Sequence, residues 1–249
     1  MEAPNQIKFH TPVSGIPLAN SPKDSAQFSL LFNQANHQYA SSSSDYSPAS
    51  PKQGVMWLEV NQKTPYGDIK QQLAQLNQPG LLKMSHLKSN DVAFKPIMFE
   101  AKNNRNLKHL IIRHSNLHQH QIDLIAKVLK LNDGIAWLVL DHNEIDDKDV
   151  KKIGDSLNRN NQIEHMVLSS NKISDDGISD LLDNLPKLKS FQTLWLNNNF
   201  ITDKSLQKLM NFVKNNALST LSIENNDLSN ESKLMLREVC EKNNCRCYC

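Results

Sequence analysis

Four histidines stand at positions separated by 28 residues or by twice that number, and they are the side chains best suited to chemistry. His114 and His142 form one such pair, and His109 and His165 form the other. Imidazole is a common zinc ligand and Asp141 directly precedes His142, so a metal site can be imagined here. No Cys or Glu completes a tetrahedral set, and imidazoles also suit an amphipathic binding surface. We therefore expect no metal and no cofactor.

All four cysteines lie within the last ten residues, at Cys240, Cys245, Cys247 and Cys249. Such a cluster cannot join distant parts of a fold, which favours a reducing compartment and a cytoplasmic location. Three interpretations remain open: a capping strand whose cysteines alternate at period two, a thiolate metal cluster, or lipidation. One-residue spacing is cramped for metal ligands. The end resembles the Cys-x-Cys terminus of doubly prenylated trafficking GTPases, although a folded strand would hide those thiols.

The sequence contains no recognisable catalytic motif. A glycine-rich phosphate loop, a zinc-protease helix motif and a nucleophile elbow are all absent, and the seven glycines are scattered. A net charge of +2 gives no electrostatic basis for binding nucleic acid. There is neither a long apolar run that could cross a membrane nor a secretory signal pattern at the N-terminus. We expect a non-enzymatic protein that binds neither nucleic acid nor, lipidation aside, a membrane.

From residue 107 the sequence repeats itself with strides of 28, 28, 28 and 27 residues. Each block is apolar at its first, fourth, sixth and eleventh positions. The blocks begin at Leu107, Ile135, Ile163, Phe191 and Leu218. The ninth position holds Ser115 in the first block and asparagine in the others, namely Asn143, Asn171, Asn199 and Asn226.

Each block predicts a strand, a turn, a helix and a second turn. Alternating apolar residues such as Leu138 and Leu140 give a short strand with one buried face. The asparagine can hydrogen-bond backbone groups where the chain leaves the strand, forming a ladder from one repeat to the next. Polar clusters such as Asp146-Asp147 and Thr202-Asp203 then suit a helix N-terminus. Apolar residues at helical spacing follow them and pack behind the strands.

This pattern resembles the leucine-rich repeat of the long, ribonuclease-inhibitor-like subtype. The resemblance implies an α/β solenoid of six to eight strands, with a curved parallel sheet inside and helices on the convex side, and we expect a monomer. Residues 107–249 carry the repeats and a C-terminal cap. Residues 53–106 hold two degenerate or capping repeats, at 54–60 and 81–87, the second followed by a helical pattern that includes Ile97 and Phe99. Residues 1–52 read as a disordered tail whose apolar island, residues 28–32, either docks on a partner or caps the domain.

Partner-binding residues are expected on the concave face, between the buried strand positions. Ile111, Val139, Val167 and Trp195 form an apolar row that should face solvent, and Trp137 lies beside it. Exposed apolar patches with aromatic anchors mark binding sites, although strand propensity or cover by the tail also explains the row. The full predicted site is His109, Ile111, Arg113, His114, Trp137, Val139, Asp141, His142, His165, Val167, Trp195 and Asn197.

The sequence therefore predicts a protein-interaction module that binds a protein ligand. Its Asn-, Lys- and Gln-rich, Gly-poor composition and its N-terminal tail resemble leucine-rich repeat effectors that intracellular bacteria deliver into the host cytoplasm as virulence factors. A cytoskeletal alternative is tropomodulin-like actin regulation, because those proteins also join a flexible N-terminal region to a short repeat domain. An enzyme or metal site using the histidine-lined concavity is the third class. Ribonuclease inhibition is disfavoured because this face lacks acidic excess.

Overall fold

The structure is a computed structural model, and it describes residues 56–60, 69–71, 73, 79–87, 93–157, 162–185 and 190–249. The predicted tail over residues 1–52 and its apolar island lie outside the described residues. None of the described helices is both long and apolar enough to cross a membrane.

Eight parallel strands form one sheet whose spatial order follows the chain from β1 to β8. The strands are β1 Met56–Val60, β2 Gly80–Ser85, β3 Leu107–Arg113, β4 Trp137–Val139, β5 His165–Val167, β6 Thr193–Trp195, β7 Thr220–Ser222 and β8 Arg246–Tyr248. Residues 69–71 and 73, between β1 and β2, are helical. The other described helices are α1 Phe94–Asn103, α2 Gln119–Leu131, α3 Asp147–Ser156, α4 Asp175–Asn184, α5 Leu206–Asn215 and α6 Asn230–Lys242, with a 3-10 turn at Asp203–Ser205 before α5.

The core lies between the sheet and the helices. Strand residues at the same repeat position form a row that is fully buried, consisting of Leu110, Leu138, Met166, Leu194 and Leu221. The helices contribute a matching buried stripe, Ile125, Ile153, Leu181, Leu209 and Leu236. Burying each such side chain contributes roughly 1.5–3 kcal/mol, so the repeated apolar positions are what hold strand and helix layers together.

Asparagine side chains link the turns that follow the strands. Asn171 Oδ1 accepts from the backbone N–H groups of Asn143, at 3.1 Å, and Ile145, at 3.0 Å. Its Nδ2 donates to the carbonyls of Leu140, at 3.0 Å, and Leu168, at 2.9 Å. Equivalent side-chain bonds to the preceding repeat are made by Asn143, Asn199 and Asn226. These buried amides satisfy backbone groups that would otherwise lose their partners.

A second set of side-chain bonds links the helix N-termini. Asp147 accepts hydrogen bonds from Ser174, at 2.7 Å from its N–H and 2.5 Å from its Oγ. Asp175 binds Thr202 in the same way, at 3.0 Å and 2.6 Å. The sequence predicted these acids as local helix-starting residues, but their carboxylates reach into the following repeat. Asp146 instead caps its own helix, by accepting from Asp149 N–H at 3.0 Å in a capping box with Asp149.

The two looser repeats occupy β1 and β2 and belong to the same sheet. One detail of their predicted apolar stripe is wrong. Phe99 is 58% exposed, whereas Phe94, Ile97 and Met98 are buried. The prediction was right for Ile97 but wrong for Phe99, because residues two positions apart on a helix do not share a face.

The terminal segment forms the predicted extra strand. Arg246–Tyr248 pairs with β7 in the register Leu221↔Cys247. Cys240 and Cys245 belong to the buried core, and Cys247 and Cys249 pack against it. With eight strands in one sheet, repeat-to-repeat ladders and helices packed behind them, the described chain has the α/β leucine-rich repeat fold.

Candidate functional site

The strand residues that alternate with the core point to the opposite face of the sheet, which we call the second face. Two columns of side chains cross this face from strand to strand. The first column is His109, Trp137, His165, Thr193 and Thr220, and the second is Ile111, Val139, Val167, Trp195 and Ser222. The register therefore brings together the residues that the repeat phase aligned.

Aromatic rings pack against each other along the first column. The Trp137 and His165 rings stack with centroids 3.8 Å apart. The His109 ring lies 6.0 Å from that of Trp137 at a tilt of 34°. Neighbouring parallel strands are about 4.8 Å apart, so rings on adjacent strands are held in contact by the backbone spacing itself.

The expectation that the apolar row faces solvent is wrong for most of its members. Trp137 is 4% exposed, Trp195 7% and Val139 1%, while Ile111 is partly exposed. None of these side chains belongs to the core on the helix side. Contacts within the second face, such as the stacked Trp137 and His165 rings, supply part of the cover. The two tryptophans are therefore not presented to solvent as preformed anchors.

Arg113 and Asp141 form an ion pair at the carboxyl ends of β3 and β4. Arg113 Nε lies 2.7 Å from Oδ1 and 2.9 Å from Oδ2 of the buried Asp141 carboxylate, and its Nη2 donates to Oδ2 at 2.5 Å. His142 Nδ1 is 3.0 Å from the same Oδ2. Burial alone would raise the pKa of Asp141, but the hydrogen bond with His142 and the charge of Arg113 outweigh it and lower the pKa. The side chains of these two predicted site residues are therefore already bonded to each other.

Three histidines line the same edge of the sheet, one per repeat. We call His86, His114 and His142 the imidazole column. Ring centroids are 5.3 Å apart between His86 and His114 and 4.4 Å apart between His114 and His142. All three side chains are exposed. His86 was not among the predicted site residues, although it stands at the corresponding position of the 81–87 repeat.

The two histidines in the first column lie in a different environment. Burial lowers the pKa of His109 to about 4 and also lowers that of His165. His165 is 1% exposed, and Glu164 Oε2 lies 3.6 Å from its Nε2, too far for a hydrogen bond. Both imidazoles are therefore neutral near pH 7 and act as aromatic packing groups.

The Asn197 side chain helps to hold β7 in place. Its Oδ1 accepts from Ser222 Oγ and from the backbone N–H of Glu224, each at 2.8 Å. A partner that contacts Asn197 therefore competes with, or adds to, an internal hydrogen-bond network.

The four cysteines are free thiols gathered at the end of the sheet. Cys247 Sγ lies 3.6 Å from Cys249 Sγ, and the backbone N–H of Cys245 donates to the Cys240 carbonyl at 2.9 Å. Hydrogen bonding with neighbouring thiols, together with burial, raises the pKa of Cys240 and of Cys247 to about 12. Within the described part of the chain, no group of three or more His, Cys, Asp or Glu side chains is placed to hold a metal ion.

No protein-family model matches the chain, and no curated protein matches it. Among solved structures, leiomodin-1 actin-binding site 2 is similar at 14% identity, with 72% of this chain and 90% of that chain covered and a TM-score of 0.47. The tropomodulin C-terminal domain from Caenorhabditis elegans is similar at 12% identity, 72% and 93% coverage and a TM-score of 0.45. An internalin from Listeria monocytogenes has 13% identity, 73% and 76% coverage and a TM-score of 0.29. At these values the likenesses carry nothing about function, and the fold rests on the register and ladders above.

Proposed function

We propose that this protein is a non-enzymatic interaction module that binds a protein partner through the second face of its sheet. The observation that supports it is the placement of Trp137 and Trp195 on that face, outside the core that joins sheet and helices. The repeat pattern itself requires no large aromatic side chain at either position. Aromatic residues are the commonest energetic anchors of protein interfaces.

Because both tryptophans are nearly buried, an anchor role requires that they become accessible when the partner binds. The residues that a partner can reach first lie along the carboxyl edge of the face. Arg113 and Asn197 are partly exposed there, and His114 and His142 are exposed. We place first contact at this edge and the anchoring contacts at the tryptophans.

The test is affinity capture with the full chain, comparing wild type with the double variant Trp137→Ala/Trp195→Ala. Loss of an anchor typically weakens an interface by about 2 kcal/mol or more, roughly thirtyfold in affinity, so we expect the double variant to lose the partner. Phe99→Ala is the matched control, since Phe99 is an aromatic residue exposed on α1. Thermal unfolding of each variant accompanies the capture.

Capture of the same partner by a folded double variant would contradict the assignment of the face. If the double variant unfolds, Trp137→Phe/Trp195→Phe keeps the packing and tests the same contacts. The tropomodulin-like and bacterial-effector hypotheses remain predictions about the partner's identity. Actin co-sedimentation tests the former, and capture from host-cell lysate tests the latter.

A further inference from the structure

The imidazole column is not required by the backbone that carries it. His86, His114 and His142 have φ values of 54°, 48° and 58°, in the left-handed region. The same position in later repeats is occupied by Ser170, Asn198 and Asn225, with φ values of 55–56°. Asparagine and histidine both adopt this conformation more readily than most residues. The backbone therefore accepts histidine at this position but does not require it, because Ser170 has the same conformation.

The ring spacing gives the column a property that separate histidines lack. With centroids 4.4–5.3 Å apart, a proton on one imidazole repels a proton on the next. Burial and then the neighbouring His142 lower the pKa of His114, the middle member. His114 therefore holds less charge near neutral pH than a separate histidine and gains charge as pH falls, and an anionic group lying across the column would favour that charge.

The charges around the column leave room for an external anion. The described charged groups that act on His114 are His142, Asp141, Arg113 and His86. The one carboxylate among these, Asp141, is buried and already bonded to Arg113 and His142. After the next strand, β5, the residues that correspond to Asp141 and His142 are Ser169 and Ser170, which carry no charge.

The next acidic side chain along the chain is also engaged. Glu144 Oε2 lies 3.0 Å from Lys172 Nζ, and both side chains are exposed. When the imidazoles carry protons, the column and Arg113 together bring up to four positive charges to this edge of the sheet, against one carboxylate, Asp141, among the described groups that act on His114.

We propose that the imidazole column, with Arg113 beside it, binds an acidic segment of the protein partner through aspartate or glutamate side chains, and binds it more tightly below neutral pH. The inference rests on the proposed function, since it names the chemistry of the partner at the exposed edge of the same face. Each carboxylate would accept an N–H from a protonated imidazole, and the 28-residue repeat would present these donors at strand spacing.

The probe is a short polyglutamate peptide, titrated calorimetrically into the full chain at about pH 7.5 and at about pH 6, across the range where histidine gains its proton. Polylysine of the same length controls for charge sign, and circular dichroism confirms folding at both pH values. We expect polyglutamate to bind about tenfold more tightly at the lower pH, because exposed charge pairs are individually weak and several of them act together.

The decisive variant is His86→Asn/His114→Asn/His142→Asn, because asparagine already occupies this left-handed position at Asn198 and Asn225. We expect it to stay folded and to bind polyglutamate equally weakly at both pH values. His120→Asn, an exposed histidine of α2, is the matched control and should keep the wild-type pH dependence.

Three outcomes would overturn the proposal: wild type that binds no polyglutamate at the lower pH, a triple variant that keeps the pH dependence, or polylysine that binds as well. The proposed function fails differently, when the tryptophan variants capture the partner as wild type does. Partner capture that needs the tryptophans but not the column would remove this inference alone.

Discussion

Asn171 shows how much of this fold depends on single polar side chains. One buried amide accepts from two backbone N–H groups and donates to carbonyls of its own and the preceding repeat. The sequence could predict this residue because the ladder repeats at a fixed position. The sequence could not show that Asp147 also links two repeats. Its bond with Ser174 depends on how adjacent helices are placed.

The first prediction at this scale is that Asn171→Ala destabilises the protein by about 1–3 kcal/mol, because buried backbone groups lose their partners. Chemical denaturation measures the free energy of unfolding. Lys172→Ala, at the exposed neighbouring position, is the control and should change it by less than about 0.5 kcal/mol. Equal stability of the two variants would contradict a structural role for the ladder amide.

A second prediction concerns acid sensitivity. His109 stays neutral in the folded chain because its pKa is lowered to about 4, whereas the unfolded chain takes up that proton near pH 6.5. Unfolding therefore binds a proton in this window, so the stabilising contribution is complete above about pH 7 and is lost as pH falls toward about 4. The expected loss from this residue between about pH 7 and about pH 5 is about 2 kcal/mol.

Urea denaturation at both pH values checks this, with His109→Gln as the comparison. The variant keeps a polar, uncharged side chain and should show a shallower decrease in stability on acidification. An identical pH dependence in both proteins would show that His109 gains its proton in the folded state.

At the scale of the elements, α4 begins where it packs closely against α3. A Cβ added to Gly177 would lie 2.2 Å from Asp147 Oδ1 and 2.9 Å from Asp147 Cα, so no side chain fits without moving the helix. The same Asp147 carboxylate holds Ser174 at the start of α4. Helix spacing and the bond between repeats are therefore set together.

We predict that Gly177→Ala lowers the free energy of unfolding by about 1–3 kcal/mol through this overlap, although alanine ordinarily favours a helix by about 1 kcal/mol. Gly154→Ala is the control, because its Cβ would meet a side-chain atom, Asn184 Nδ2, at 3.2 Å and no backbone atom at closer range. It should stay within about 1 kcal/mol of wild type. Thermal unfolding of both variants would contradict the prediction if Gly177→Ala were the more stable.

At the scale of the whole molecule, the stability of each repeat depends on its contacts with the neighbouring repeats. Leu168 is fully buried, and its backbone N–H donates to the Trp195 carbonyl at 2.8 Å. Leu168→Ala should cost about 2–5 kcal/mol through lost contacts and the remaining cavity. Because each repeat contacts its neighbours, we expect amide exchange to accelerate in β4 and β6 as well as β5. Hydrogen exchange confined to β5 would contradict this coupling.

The fold could be predicted from the sequence because its apolar and asparagine positions recur. The role of Leu138 or Asn199 is supported by the equivalent residues in other blocks. The binding face was less readable. Repeat phase correctly aligned Trp137 with His165, but it carried no information on exposure, which depends on everything that packs against the face. His86 was missed because its repeat has Leu87 where the others have asparagine or, in the first block, Ser115.

The strands pair in register although the segments that connect them differ in length. Equivalent residues of paired strands are 28 apart from His165 to Thr193, 27 from Thr193 to Thr220 and 26 from Thr220 to Arg246, yet each pair stays aligned. Length changes are absorbed between the strands, which makes one strand-to-strand segment an exchangeable unit of growth. Deleting residues 137–164 would place His165 beside His109, so that β5 pairs directly with β3 and the other strand pairs keep their register. Duplication and loss of whole units would thus let the protein lengthen or shorten its face while every retained column keeps its order.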